Sequence, residues 1–330
     1  MFDDSRLDDP VALEAHRPRL ERIALAGARI RQAFGHAASE RFEKPPRPRS
    51  VVLVGAGADL VRFVAGPVCP APVLVWDAAR LPGWLGTLDL VVVLAGRDPT
   101  LTETVIEASR RGACVLVIAT EDSPLVDYAV GSSTTLVTVP EDDPFTIAVR
   151  ALDVLGRWEL SSVFDPAALA DRLDVVADEC GPVVHLGVNR AKGLACALGE
   201  TTPLIWGESP VTVCAATRIA CQLRKSLRRP ALAAGTDEVV VIIEGSGGKD
   251  LFADPFDDPA SSNGVSLLLL SDSVEADPPS RQRQYLVDLA GDHGVRVAEI
   301  TTAGGDDLGR FAALCHEGAF AAAYLEVATL

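Results

Sequence analysis

Aromatic side chains are scarce, at 5% of 330 positions, although 48% of the chain is hydrophobic. Ala, Val and Leu supply most of the apolar surface, a composition that suits helices packed against parallel strands. Positive charge is also short: 30 Lys and Arg stand against 46 Asp and Glu, a net charge of −16. That balance opposes sequence-independent binding to nucleic acid or to an anionic membrane, both of which need a basic face. The local exception is Arg218, Arg224, Lys225, Arg228 and Arg229. No apolar run reaches the ~18 residues of a membrane span. No C-x-x-C pair occurs among the seven cysteines, and the number is odd. Most lie in apolar runs, Cys114 and Cys214 among them, and read as buried reduced thiols. The N-terminus opens on acids rather than a signal peptide, so a cytoplasmic protein is expected.

What is present is alternation. The length suggests two domains. Leu20, Ile23, Ala24, Ile30 and Phe34 recur at helical spacing and predict one amphipathic helix over about 12–37. A proline-rich linker follows at 43–49. Apolar runs predict strands at 51–54, 73–76, 90–94, 114–118 and 136–139, with helices at 60–65, 101–111 and 144–155. Residues 157–182 read as a helical connector. The pattern then restarts, with helices at 192–198, 211–227, 281–293 and 308–327. Strands are expected at 203–206, 238–243, 265–270 and 295–300. Fully apolar strands alternating with helices imply a parallel sheet covered on both faces. The fold class is therefore α/β, with two doubly wound, three-layer domains, 1–156 and 183–330, joined by that connector.

Several local patterns have a functional and a plain reading. Gly55 and Gly57 follow a strand, and Asp77 ends the next one, which outlines a dinucleotide fingerprint. Leu60 occupies the third glycine position, so a tight βα turn is the preferred reading. The 245–264 stretch opens on Gly245-Ser-Gly-Gly-Lys249 but misses the Walker spacing, and reads as a flexible loop of unusual length. Its acids Asp250, Asp254, Asp257 and Asp258 read as solvated rather than metal-binding. His185 and His316 stand alone in apolar surroundings and read as core or boundary histidines. The Arg224–Arg229 cluster reads as a solvated helix end, or as a contact for phosphate or a partner.

One longer pattern is more specific. Asn189-x-Ala-Lys-x-Leu-Ala195 is followed by Pro203-x-Ile-x-Gly207, Arg218, Gln222-Leu223 and Pro230-Ala231. Further on come Pro279 and Arg281, the stretch 294–297 and the stretch 314–325. In the first half, 89–94, Thr102-Glu-Thr104, 111–113 and 115–118 follow a matching strand–loop–helix pattern. The chain resembles the bifunctional phosphoglucose/phosphomannose isomerase family of tandem sugar-isomerase (SIS) domains. The resemblance implies two SIS-like domains, a sugar-phosphate ligand and a homodimer. It also implies a ligand loop before a helix, where unpaired N–H groups and the positive dipole end receive a phosphate.

Residue by residue, the resemblance places the ligand at Gly55, Gly57, Arg97, Thr100, Thr102, Thr104 and Arg218, with Asp59 as a carboxylate inside the first loop. Lys225 stands where the family has its glutamate base, and Thr236 where it has its histidine. No lysine follows Lys249 to match the one in the family's last helix. Proton transfer between C1 and C2 needs a carboxylate base with a His or Lys partner, and losing such a group typically costs ~10²–10⁴ in rate. Three readings follow: a phosphosugar-binding relative with degenerate catalysis, an active hexose 6-phosphate isomerase using substitute residues, or a structural partner protein. No cofactor, metal, nucleic acid or membrane is expected.

Overall fold

The computed structural model describes residues 2–35, 37, 40–78, 80–129, 131, 133–246, 264–272 and 280–329. The loop acids Asp250 to Asp258, Lys249 and Pro279 lie outside them. The chain forms two compact units, residues 28–170 and residues 1–27 together with 171–330. The single helix expected over 12–37 is three pieces: α1 (Pro10–Ala15), α2 (Arg17–Ala24) and α3 (Ala26–Ala33). Pro18 sits in the first turn of α2, where its missing N–H and fixed φ start a helix but cannot continue one.

In the unit 28–170, the strands are β1 (Val51–Gly55), β2 (Val73–Val75), β3 (Leu90–Gly96), β4 (Cys114–Thr120) and β5 (Thr134–Val139). They form one parallel sheet in the order β2-β1-β3-β4-β5. β3 is buried along its whole length, as its unbroken apolar run requires. On one face Val52, Val54, Val91, Val93, Val115 and Val117 pack with Val105 and Ala108 of α5 (Thr102–Arg110). The other face is covered by α4 (Ala58–Ala65) and α6 (Pro144–Arg157), which also pack on each other. Asp143 caps α6 by accepting from the Thr146 N–H at 2.9 Å.

The other unit holds α8 (Arg190–Leu198), β6 (Thr202–Gly207), α9 (Pro210–Leu227), β7 (Leu232–Ala233) and α10 (Thr236–Ser246). β8 (Val265–Ser271), α11 (Arg281–Asp292), β9 (Arg296–Thr301) and α12 (Asp307–Ala328) complete it. Its parallel sheet has the order β7-β6-β8-β9. Helix α7 (Pro166–Cys180) leads into this unit. The strand expected at 238–243 is a correction, because these residues lie inside α10. The Val and Ile run suits a strand by propensity, but Val239 and Ile243, four apart, are buried against Leu204, Trp206, Leu267 and Leu269. Asp237 and Glu238 lie in the first helical turn, where the dipole favours acids. Packing overrides β-propensity here.

The leading residues pack with this unit. The Asp3 N–H donates to Ala328 O at 2.8 Å, and Arg6 Nε to Val327 O at 2.7 Å. Asp8 receives Lys192 Nζ at 2.7 Å and the Leu186 N–H at 3.1 Å. Lys192 is 0% exposed and also donates to Pro182 O and Val184 O. Burial alone would raise the Asp8 carboxyl, but Lys192 and the Leu186 N–H outweigh it and hold the carboxyl below its ordinary value. Removing one partner of a buried pair leaves a charge stranded, so Asp8→Ala is expected to cost about 3 kcal/mol in urea unfolding at neutral pH. Because the folded carboxyl titrates low, its contribution is present at neutral pH and lost as pH falls through the acid range.

Candidate functional site

In a doubly wound sheet, ligands bind beyond the carboxyl ends of the strands where neighbouring helices depart to opposite faces. In the unit 28–170 that point lies between β1 and β3, because α4 and α5 cover different faces. Gly55 and Gly57 form one wall, with φ of 104° and 96°. A Cβ at Gly55 would lie 2.3 Å from Leu94 O, and one at Gly57 2.8 Å from Pro144 O. Both glycines therefore serve close backbone packing in the turn after β1. Gly57 caps α4 without a side-chain hydrogen bond.

The second wall runs from Gly96 to Thr104. Leu101 Cδ1 reaches within 3.1 Å of the missing Gly55 Cβ, so the two loops adjoin. Thr102 and Thr104 are half-buried in the first turn of α5. The Thr100 N–H and O–H both donate to Asp98 Oδ1, at 2.9 and 2.7 Å. Asp98 thus caps the short 3-10 turn Pro99–Leu101 that precedes α5, while α5 itself starts without a side-chain cap. Arg97 is committed as well, since its Nε–H donates to both oxygens of Asp122 at 3.0 and 2.9 Å. The pairing holds the Asp122 carboxyl below, and the Arg97 guanidinium above, their ordinary values.

In the unit of residues 1–27 and 171–330, the corresponding point lies between β6 and β8. At the mouth of α9, Ser209 and Thr212 form a closed capping box, with the Ser209 N–H donating to Thr212 Oγ1 at 2.9 Å and the Thr212 N–H to Ser209 Oγ at 3.1 Å. Thr236 opens α10 at the carboxyl edge. Its hydroxyl accepts from Trp206 Nε1 at 3.1 Å and donates to Gln282 Oε1 at 3.3 Å. Trp206 is buried and Gln282 exposed, so three elements meet in a polar cluster at the edge. The sequence had not assigned Trp206 or Gln282 to a site. The available signal was the helix start at Ser280, whose Oγ accepts from the Arg283 N–H at 3.1 Å.

Lys225 lies elsewhere. The 18-residue α9 leaves the carboxyl edge at Pro210 and returns to the amino edge, a length of about 27 Å. Lys225 is exposed in its last turn, and Arg218 is exposed midway along it. Lys225 and Thr236 therefore occupy opposite edges of one sheet. Much of the basic cluster is spent on backbone: Arg224 donates to Ala231 O at 2.8 Å and Arg229 to Leu198 O at 3.2 Å and to Gly199 O. Burial lowers the Arg229 guanidinium.

The histidines differ from each other. His316 is buried, edge-on to the Phe320 ring at 5.3 Å, as a core histidine. His185 is 79% exposed, contrary to its apolar neighbours in sequence, with Nε2 3.1 Å from Asp8 Oδ2. Among the described residues no group of three or more His, Cys, Asp or Glu could hold a metal ion. No helix among them is long and apolar enough to cross a membrane.

Comparison with known proteins bears on this geometry. Residues 187–329 match the family model of the bacterial phospho-glucose isomerase C-terminal SIS domain. The fold is a tandem of SIS-type units. A glucose-6-phosphate isomerase-like protein from Thermus thermophilus superposes with a TM-score of 0.58 at 17% identity, over 99% of this chain and 93% of that one. Tagatose-6-phosphate ketose/aldose isomerase from Escherichia coli gives 0.63 at 14% identity, over 93% of each chain. The C-terminal domain of glucosamine-fructose-6-phosphate aminotransferase from Francisella tularensis gives 0.62 at 11%, over 94% and 95%. At such identities the likeness is one of fold. No curated protein sequence matches the chain significantly.

The first SIS wall yields a prediction. Gly57→Ala puts a Cβ against Pro144 O at positive φ, and should destabilise the protein by about 2 kcal/mol in urea unfolding. Gly83→Ala, with nothing within 4 Å, should stay within about 0.5 kcal/mol of the unaltered protein.

Proposed function

We propose that the protein is a sugar-phosphate-binding relative of the bifunctional phosphoglucose/phosphomannose isomerases in which the acid and base positions no longer carry isomerase chemistry. The supporting observation is the SIS-domain match over 187–329; the resemblance puts Lys225 and Thr236 at the base and acid positions. A lysine ammonium has no lone pair to take a proton, and a threonine hydroxyl is too weak an acid to open a sugar ring near neutral pH. The names of the structural neighbours, which include a tagatose-6-phosphate isomerase and a glucose-6-phosphate isomerase-like protein, favour a phosphorylated sugar as the ligand class.

Binding is assigned to the carboxyl edges. Gly55, Gly57, Arg97, Thr100, Thr102 and Thr104 line one edge, and Thr236 with Trp206 and Gln282 the other. Arg218 on α9 is the remaining cation offered for a phosphate. All seven cysteines are free thiols, which supports a reducing compartment such as the cytoplasm. A homodimer belongs to the same reading.

A coupled isomerase assay with glucose 6-phosphate and mannose 6-phosphate should give no turnover above background, in the unaltered protein and in Lys225→Ala alike. Turnover that Lys225→Ala abolishes would overturn the degenerate-site reading. The same sugar phosphates should raise the melting temperature, since a ligand at 100 times its Kd stabilises the native state by about 2.7 kcal/mol. A melting temperature indifferent to every hexose phosphate tried would leave a structural protein instead.

A further inference from the structure

A carboxyl group in α12 has no counterpart in the sugar-phosphate reading. Glu317 is 3% exposed, on a helix whose own buried residues are almost all apolar. Its ion-pair partner is Arg190, at the start of α8, with Nη2 3.0 Å from Glu317 Oε2. The same nitrogen donates to Glu179 Oε2, at the end of α7, at 2.6 Å. Glu179 is half-exposed and keeps water as an alternative, whereas Glu317 has none. Two carboxylates thus compete for one guanidinium, and the buried one has the poorer share.

Among the described residues, other charged and titratable groups around α12 have partners of their own, including the buried Tyr324, whose O–H donates to Cys180 O at 2.7 Å. Lys192 of α8 is spent on Asp8, and Arg19 of α2 on Glu326. From α7, the Cys180 thiol is buried beside the junction, and the nearby Glu317 carboxyl adds to the burial that pushes it up to about 12. On the α9 side, Arg218 and Cys214 act on Cys315 rather than on Glu317.

We propose that Glu179, Arg190 and Glu317 form a proton-operated clasp between α7, α8 and α12, closed while Glu317 carries its proton and loosened when it ionises. Ionisation places a full negative charge on the buried Glu317 carboxyl beside a half-exposed Arg190 that is already shared with Glu179, a state relieved by drawing Arg190 away from Glu179 or by parting α8 from α12. Burial, opposed by Arg190, pushes the Glu317 carboxyl up to about 7, which sets the change near neutral pH. The segment 181–189, which joins α7 to α8 and holds Asp8 through the Leu186 N–H, is what the clasp would release. The inference does not depend on the ligand reading.

A group titrating higher when folded than when unfolded stabilises fully below its unfolded value, and that contribution is lost as pH rises through the folded value. Relative to Glu317→Gln, the unaltered full-length protein should lose on the order of 100-fold in its folding equilibrium between about pH 4.5 and pH 7.5. Hydrogen exchange in 181–190, corrected for intrinsic pH effects, should quicken over the same interval in the unaltered protein only. Glu179→Gln is a surface change that frees Arg190 for Glu317, and it should move the midpoint to lower pH. Parallel stability profiles for the unaltered protein and Glu317→Gln, or a midpoint that Glu179→Gln leaves in place, would overturn the clasp.

Discussion

A parallel sheet compels every connection between neighbouring strands to leave at the carboxyl edge and return to the amino edge, most often along a helix. That constraint decides which residues of this protein can meet. Residues in the turn after a strand gather at one edge, as Gly55, Gly57, Arg97 and Thr100 do, and as Thr236 and Gln282 do in the other unit. Residues at the end of a returning helix are carried to the opposite edge. Lys225, fifteen positions into α9, is among the latter, and no side-chain rotamer can bridge the ~20 Å that its position along the helix implies.

Charge satisfaction follows the same geometry. Side chains cap α9 and α11 beside the second crevice, whereas α4 and α5 beside the first start without a side-chain cap. Asp98 serves Thr100, the Ser209–Thr212 box serves α9 and Ser280 serves α11, while Gly57 leaves the start of α4 without a side-chain cap. Arg97 is answered by Asp122. A phosphate approaching Thr100 or Arg97 would compete with the Asp98 and Asp122 carboxylates already paired there.

Much of this was legible in the sequence. The unbroken Val, Leu and Ile runs at 51–54, 90–94, 114–118 and 265–270 announced buried parallel strands, and Gly55 after the first announced its turn. The run at 238–243 misled because a β-branched stretch looks alike in a strand and in a helix that buries only Val239 and Ile243; the acids at 237 and 238 were the better signal. The leading residues were unreadable for a different reason. Asp8 finds Lys192 across 184 positions, and no local pattern encodes such a partner. Occupancy was equally hidden: Thr100 and Arg97 stand where sequence put them, but their hydrogen bonds to Asp98 and Asp122 depend on folded geometry. Glu317 gave no signal, since one acid in a long helix ordinarily faces water.

The most direct measurement is hydrogen exchange of the full chain with and without saturating mannose 6-phosphate. Protection is predicted at the carboxyl-edge turns, in peptides spanning 53–60 and 96–104 or 205–213 and 234–240, with none at 224–231 around Lys225. Protection centred on 224–231, or none anywhere in a folded protein, would contradict the account.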